Sequence, residues 1–342
     1  MKNILSKIKD GLSKDRISTG VDIGSAQIKA VKIKSSKDQI ELVGFDIEPS
    51  KFDLGEVLRK VLDPHSGLPV NISVSGQQSV IRYVNFPRMS DSELKQALKF
   101  EAQKHIPFSV SEVNLDGYIL KDNLPDNKML VLVAAVKKEL VNQRLKLVEG
   151  VGYRVDVVDI DSIALVNLFN FNNPFVASEE KKAVALLNIG ASTANLNILD
   201  EGIPRLSRDM HIAGNAFTQK IADILSIEFA EAEKLKINPD PDKLNKIKAG
   251  AESALANLAG EIRTSFDYYE SQGTSTVGKI FLSGGSAKFT GLKDMLEHFL
   301  NIEVEEWDPL RQLKIGSNID LPKLKAVQGE LVVALGLALH NS

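Results

Sequence analysis

Two stretches far apart in the chain follow one pattern: GVDIGSAQIKAVKI at residues 20–33 and LNIGASTANLNI at residues 187–198. With Leu187 laid on Val21, each runs apolar, Asx, Ile, Gly, then three small or polar residues and an apolar-rich segment. This predicts a strand, a tight turn and a returning strand. Such a turn gathers backbone N–H groups into a concave nest that attracts phosphate, and Gly24 and Gly190 place no Cβ in the way of an anion. One such turn alone is an ordinary hairpin. Two in series, in a chain of 342 residues that exceeds what a single core serves, predict two lobes gripping a polyphosphate from opposite sides. The copies differ at one chemically important place, where Asp22 of the first is the neutral Asn188 of the second.

Composition narrows the partners. A net charge of −3, with Lys and Arg dispersed among acids, gives no footprint for a nucleic-acid backbone. The chain has no cysteine, which excludes disulfides, thiolate metal sites and cysteine nucleophiles and fits a reducing compartment, the cytoplasm by default. His65, His105, His211, His298 and His340 lack H-x-x-x-H spacing, so no metal site is expected from them. The longest apolar runs, such as Met129 to Val136, fall far below the ~20 residues that cross a bilayer. Residues 1–17 form a basic segment without the apolar region of a signal peptide. Ile4, Leu5, Ile8 and Leu12 share one helical face there; a frayed or locally docked terminus is the simpler reading, a surface-lying amphipathic segment the other.

Strand-like runs and a short helix build a first lobe core at 18–85, completed by 154–182 and a C-terminal helix at 325–342. Ser90 and Glu93 form a capping-box signature for a helix that ends before Pro107. With strands at 114–121 and 129–136 and a helix at 138–150, residues 86–153 read as a compact insert. The second lobe core takes 183–210 and 273–324, and helical tracts at about 214–236 and 243–272 form a subdomain at 211–272. KIFLSGGSAKFTGL, 279–292, is a strand-to-helix glycine turn suited to passage beside a flat base or ribose. Neither G-x-x-x-x-G-K-[ST] nor G-x-G-x-x-G is present.

Within the first turn Asp22 would repel phosphate directly but hold Mg2+ through water, and Lys29 on the returning strand offers compensating charge. Asp161, ahead of SIALVNLF, reads as a helix N-cap, and for Asn188 the capping of its own turn is the lesser alternative to a site role. Glu101, Lys104 and His105 read as the solvated face of the insert's helix, Phe100 and Phe108 as core, and Trp307 as a half-buried anchor.

In chain order GVDIGSAQIK, LNIGASTANL, HIAGNAFTQKIA (211–222), AEKLK (232–236) and FLSGGSAKFTGL resemble the phosphate and adenosine motifs of the actin, sugar-kinase and heat-shock ATPase superfamily, over nearly the whole chain. PRMSDSELKQALKFEAQKHIPF (87–108), running into NLDGYIL (114–120), is similar to the signature of the PilM family, actin-like cytoplasmic proteins of type IV pilus assembly. The resemblance implies an α/β, actin-like ATPase fold: two lobes with duplicated strand meanders, an FtsA-like inserted subdomain, and ATP with Mg2+ in the interlobe cleft. It assigns Asp22, Gly24, Ser25 and Lys29 to the first phosphate loop, with Asp22 toward Mg2+ through water, and Gly190, Ala191, Ser192 and Thr193 to the second. Gly284, Gly285, Ser286 and Lys288 match the adenosine loop, Glu233 and Lys236 the pair that approaches the ribose, and Gly214 the turn opening the helical subdomain. Asp22, Asn188 and Asp161 are the catalytic candidates, Asp161 standing where related enzymes position the attacking water. The second loop of such ATPases usually carries Asp where Asn188 stands, so weak or absent hydrolysis is implied.

The implied partner is the cytoplasmic N-terminal tail of a PilN-type inner-membrane protein, docked as an extended peptide in a groove bordered by residues 86–153, with Phe100 and Phe108 as candidates for lining it. That contact would recruit the protein to the inner face of the inner membrane and link the membrane complex to the motor ATPases; self-association is a further implied contact. Two alternatives stay open. A small-molecule kinase would share the fold, though no carboxylate-bearing sugar motif accompanies the phosphate loops. An FtsA-like filament-forming membrane tether would carry a C-terminal amphipathic tail, which LALHNS does not resemble.

Overall fold

The computed structural model describes residues 16–37, 39–50, 53–62, 67–173, 182–273 and 275–340. The expectations for residues 1–15 and for His65 lie outside them. Both predicted hairpins form, and each seeds a sheet. In the first lobe β1 (Arg16–Ile23) runs antiparallel to β2 (Gln27–Ser36), followed by β3 (Gln39–Pro49). β4 (Val70–Val74) and β8 (Val155–Ile160) join in parallel on one side and β14 (Lys314–Ile315) on the other, giving the order β14-β3-β2-β1-β4-β8. The second sheet has the order β11-β10-β9-β12-β13, from β9 (Lys182–Ile189), β10 (Ala194–Asp200), β11 (Ile203–Met210), β12 (Thr276–Ser283) and β13 (Glu303–Glu306). Each sheet thus combines an antiparallel meander with parallel crossover strands, so the repeat in the sequence is a repeat in topology.

From Ser18 onward every residue of β1 is buried, because helices cover both faces. α1 (Leu54–Val61) packs on one side, and α10 (Val332–Leu339), buried along its whole length, on the other. α10 lies directly against α4 (Asp161–Asn172), where a Cβ on Gly336 would overlap the Ala164 carbonyl. These two helices share one core with Leu186, Leu199 and Trp307 of the second lobe, and Trp307 meets the Phe169 ring edge-on at 5.7 Å. The C-terminal helix expected at 325–342 is two helices, α9 (Leu321–Val327) and α10, within the described residues.

The insert is a three-stranded sheet, β5-β7-β6, of β5 (Ser79–Pro87), β6 (Val113–Leu124) and β7 (Lys128–Lys137), crossed by α2 (Asp91–Ala102). The capping box is made: Glu93 Oε2 accepts from Ser90 N–H at 2.7 Å, and Ser90 Oγ from Glu93 N–H at 3.4 Å. The sheet begins ahead of residue 86, because Ser79 already pairs with Val136. It ends at Lys137, because α3 (Lys138–Glu149) turns back to the first lobe and buries Val148 with Val57 and Leu58. Phe108 packs against the insert's core under Lys137 Nζ, 5.4 Å from the ring centroid. Phe100 does not: it is 78% exposed, because Leu94, Leu98 and Ala102 form the inward row of α2 and residue 100 falls off it. The helical subdomain is α5 (Gly214–Leu225), α6 (Phe229–Ile237) and α7 (Leu244–Gln272), with the expected 214–236 tract broken at the left-handed Ser226, and α8 (Leu292–Leu300) follows β12.

Candidate functional site

The two glycine turns meet across the cleft, Ser25 Oγ lying 2.8 Å from Ser192 Oγ. The first turn is closed by Gly24 N–H to the Gln27 carbonyl at 3.1 Å and anchored by Ser50, whose hydroxyl donates to the Gly24 carbonyl at 2.8 Å. At the base of this hairpin Asp22 and Lys29 are register partners and form an ion pair at 2.8 Å, both side chains largely buried. Burial alone would lower the Lys29 pKa; the Asp22 carboxylate, helped by Glu330 and Asp161, outweighs it and raises the value above the ordinary one.

The second turn repeats the geometry with different chemistry. Gly190 N–H donates to the Thr193 carbonyl at 2.9 Å, and two steps down the ladder Asn188 faces Asn195. Asn188 Nδ2 donates to Asn195 Oδ1 at 3.2 Å, and Asn188 Oδ1 accepts from Ser283 Oγ at 3.3 Å. An amide pair therefore stands where the first lobe has an ion pair. Asn188 does not cap its turn; it sits on a strand with both ends of its amide used.

α5 opens directly on this turn, with Gly214 N–H on the Gly190 carbonyl at 3.0 Å and Asn215 N–H on that of Ala191 at 2.8 Å. Gly214 is obligatory, since a Cβ there would overlap Ser286 Oγ, which itself donates to the Gly190 carbonyl at 2.8 Å. Lys236, buried, donates to Glu233 at 2.7 Å, to Thr218 Oγ1 at 2.8 Å and to the Gly214 carbonyl at 3.2 Å, and burial lowers its pKa. Gly284 has φ +96°, and a Cβ there would strike the Ile189 backbone. Lys288 is ion-paired with the buried Glu330. The residues expected to serve phosphate, ribose and base thus gather around the two turns.

Asp161 is not an N-cap. Ile160 holds that position without a side-chain bond, and Asp161 is the first residue of α4. The hydroxyls of Ser73 and Ser75, at the end of β4, donate to its carboxylate instead. Burial first, and then the Asp22 charge, push its pKa up to about 6, against those two hydrogen bonds. Asp161 and Asp22 therefore share the cleft with Lys29. Motif and spacing do not single out Asn195, Glu330, Ser73 or Ser75, and they give Ser283 only as part of the glycine turn beside base or ribose, not as a partner of Asn188. Only Asn195 carried a local signal, because the repeat lays it on Lys29.

Two sheets of the same meander-and-crossover topology, helices sandwiched between them, and paired glycine turns facing across a cleft define the actin-like ATPase fold. Among solved structures, the chain is similar to one from a PilM-PilN type IV pilus biogenesis complex, with 24% identity, a TM-score of 0.80, and coverage of 94% of this chain and 97% of that one. It is also similar to the ethanolamine utilization protein EutJ from Carboxydothermus hydrogenoformans, at 14% identity and TM-score 0.50, covering 98% and 99% of the two chains. The family model described as type IV pilus assembly protein PilM matches residues 20–342, and the chain belongs to that family. Among the described residues no helix is long and apolar enough to cross a membrane.

Proposed function

We propose that this chain is an ATP-binding scaffold of type IV pilus assembly, cytoplasmic, and held at the inner face of the inner membrane by the cytoplasmic N-terminal tail of a PilN-type protein. The meeting of the two glycine turns beside the Gly214, Glu233 and Lys236 corner carries the nucleotide part of this reading. The cleft fits the group, offering backbone N–H nests, a cation in Lys29, and a carboxylate in Asp22 suited to Mg2+ through water. Glu233 and Lys236 would take the ribose and the Gly284–Lys288 turn the base. When bound, ATP supplies the polyphosphate charge that both lobes share. Asn188 brings no charge, and its amide is committed within the protein, which favours slow or no hydrolysis.

The partner part rests on family membership and on the seam between insert and first lobe. There Val74, Ile81, Leu132, Val136 and Ile160 bury one another, with Leu120 and Leu140 half-buried at the edge. β6 pairs with β7 on one side and, among the described residues, with no strand on the other. An extended tail can add to such an edge, backbone bonds giving affinity and alternate side chains specificity. Calorimetric titration with the tail peptide of the PilN-type protein is the test. Binding to the parent should weaken at least about tenfold in Leu120→Glu, some 1.4 kcal/mol, with ATP affinity kept. Equal tail affinity in the variant would place the groove elsewhere.

A further inference from the structure

The insert touches the second lobe through two edge strands, β5 and β11, that approach without a backbone ladder among the described residues. A cavity of about 160 Å3 lies beside their contact. Side chains bridge them at two levels. At one, Tyr83 OH and Ser207 Oγ are 2.7 Å apart and Ser207 donates to Asn197 Oδ1 at 2.6 Å. This bridge stops there, because the residue facing Asn197 on β9 is the apolar Leu186.

The other bridge continues. Asp209 Oδ2 accepts from the Gly76 N–H at 2.6 Å, in the turn between β4 and β5, and its Oδ1 accepts from Asn195 Nδ2 at 2.7 Å. Asn195 Oδ1 accepts from Asn188, and Asn188 from Ser283. Three consecutive hydrogen bonds therefore join the corner where the chain enters the insert to Asn188, two residues ahead of Gly190, and a fourth continues to Ser283. Asn188, Asn195 and Ser283 are buried, so none can turn away without leaving a polar group unsatisfied. The bonds to the Asp209 carboxylate are charge-assisted and short, the strongest links in the chain. Gly76, at φ +91°, closes its own turn by accepting from Ser79 N–H and Oγ. A shift of Asp209 is thereby passed to the first residues of β5.

We propose that Asp209 is a positioning residue that couples the second glycine turn to the insert, so that occupancy of the turn sets how firmly the β4–β5 corner is held. The proposal rests on the reading of that turn as part of the nucleotide site, and by linkage the coupling runs both ways.

Hydrogen–deuterium exchange on the full chain, with and without ATP and Mg2+, tests it, with ATP affinity measured separately by equilibrium dialysis. In the parent, ATP should slow exchange of the amides at 76–83 by at least about fivefold, the lower end of allosteric couplings. Asp209→Asn, which turns an acceptor into a donor facing Gly76 or Asn195, should bind ATP as the parent does yet lose that protection. Asn195→Ala interrupts the same path at its middle and should give the same loss, so the result does not depend on one variant keeping its fold. Ser207→Ala breaks only the other bridge and should keep the protection. Parent-like protection in both path variants, or an ATP-bound parent without protection at 76–83, overturns the proposal while leaving the nucleotide reading intact. A parent that does not bind ATP overturns both.

Discussion

Lys29→Ala is the perturbation with the largest calculable consequence. Its ammonium lies 2.8 Å from Asp22, with Asp161 and Glu330 near enough to raise its pKa. At that distance and an effective dielectric near 20, the attraction to Asp22 is about 6 kcal/mol before the cost of burying both charges. Breaking a buried pair by removing one partner costs ~3–5 kcal/mol. The two side chains are 14% and 12% exposed, which places the loss at the lower end, about 3 kcal/mol. Asp161, near enough to Lys29 to raise the lysine's pKa, would then lose a neighbouring cation, so its own pKa, already raised, would rise further. An acid raised in the folded state stabilises the fold only while protonated, so the variant should regain part of the loss as pH falls toward about 5. Urea midpoints at pH 7 and pH 5 read this directly. ATP affinity should fall by roughly ten- to a hundredfold, from a lost charge-assisted hydrogen bond worth ~1.5–3 kcal/mol. A variant with parent-like stability at pH 7 and parent-like ATP affinity would refute both the charge balance and the placement of the phosphate site.

Asp161 should make the parent pH-sensitive by itself. Its folded pKa of about 6 stands above the ordinary 3.8, so it stabilises while protonated, and stability should decline as pH rises between those values and level off above. Asp161→Asn should flatten that part of the urea-midpoint profile, and an unchanged slope would contradict the assignment. Asn188→Asp sets a carboxylate oxygen against Asn195 Oδ1 and should cost ~1–3 kcal/mol in a urea titration; no loss would deny the amide pair. Gly284→Ala should destabilise by more than ~1 kcal/mol, since its φ is +96° and the Ile189 backbone occupies the Cβ position; a thermal midpoint equal to the parent's would show that the turn yields.

Local pattern made the lobes legible. Alternation around Gly24 and Gly190 wrote out both hairpins, and the capping box wrote out the start of α2, because each depends on residues a few positions apart. The turns of the candidate site came with them. What stayed hidden depends on register and tertiary contact. N-cap preference suggested a role for Asp161 that hydroxyls from another strand, on Ser73 and Ser75, take over. Asn195 and Ser283 meet Asn188 only because β10 and β12 flank β9 in a fixed register. α3 joined the insert on sequence proximity, while the apolar contacts of Val148 assign it to the first lobe. Residue type puts Phe100 in the core or along the partner groove, and its place on the helix turns it outward, which removes only the first.

The central claim is that the cleft holds ATP without readily consuming it. The direct measurement incubates the chain with a substoichiometric amount of labelled ATP and Mg2+, separates bound from free nucleotide, and identifies the bound species over time in a single turnover. Label should be retained on the chain, be lost in Lys29→Ala, and be recovered as ATP after many minutes. No retained nucleotide, or bound ADP within seconds, would contradict it.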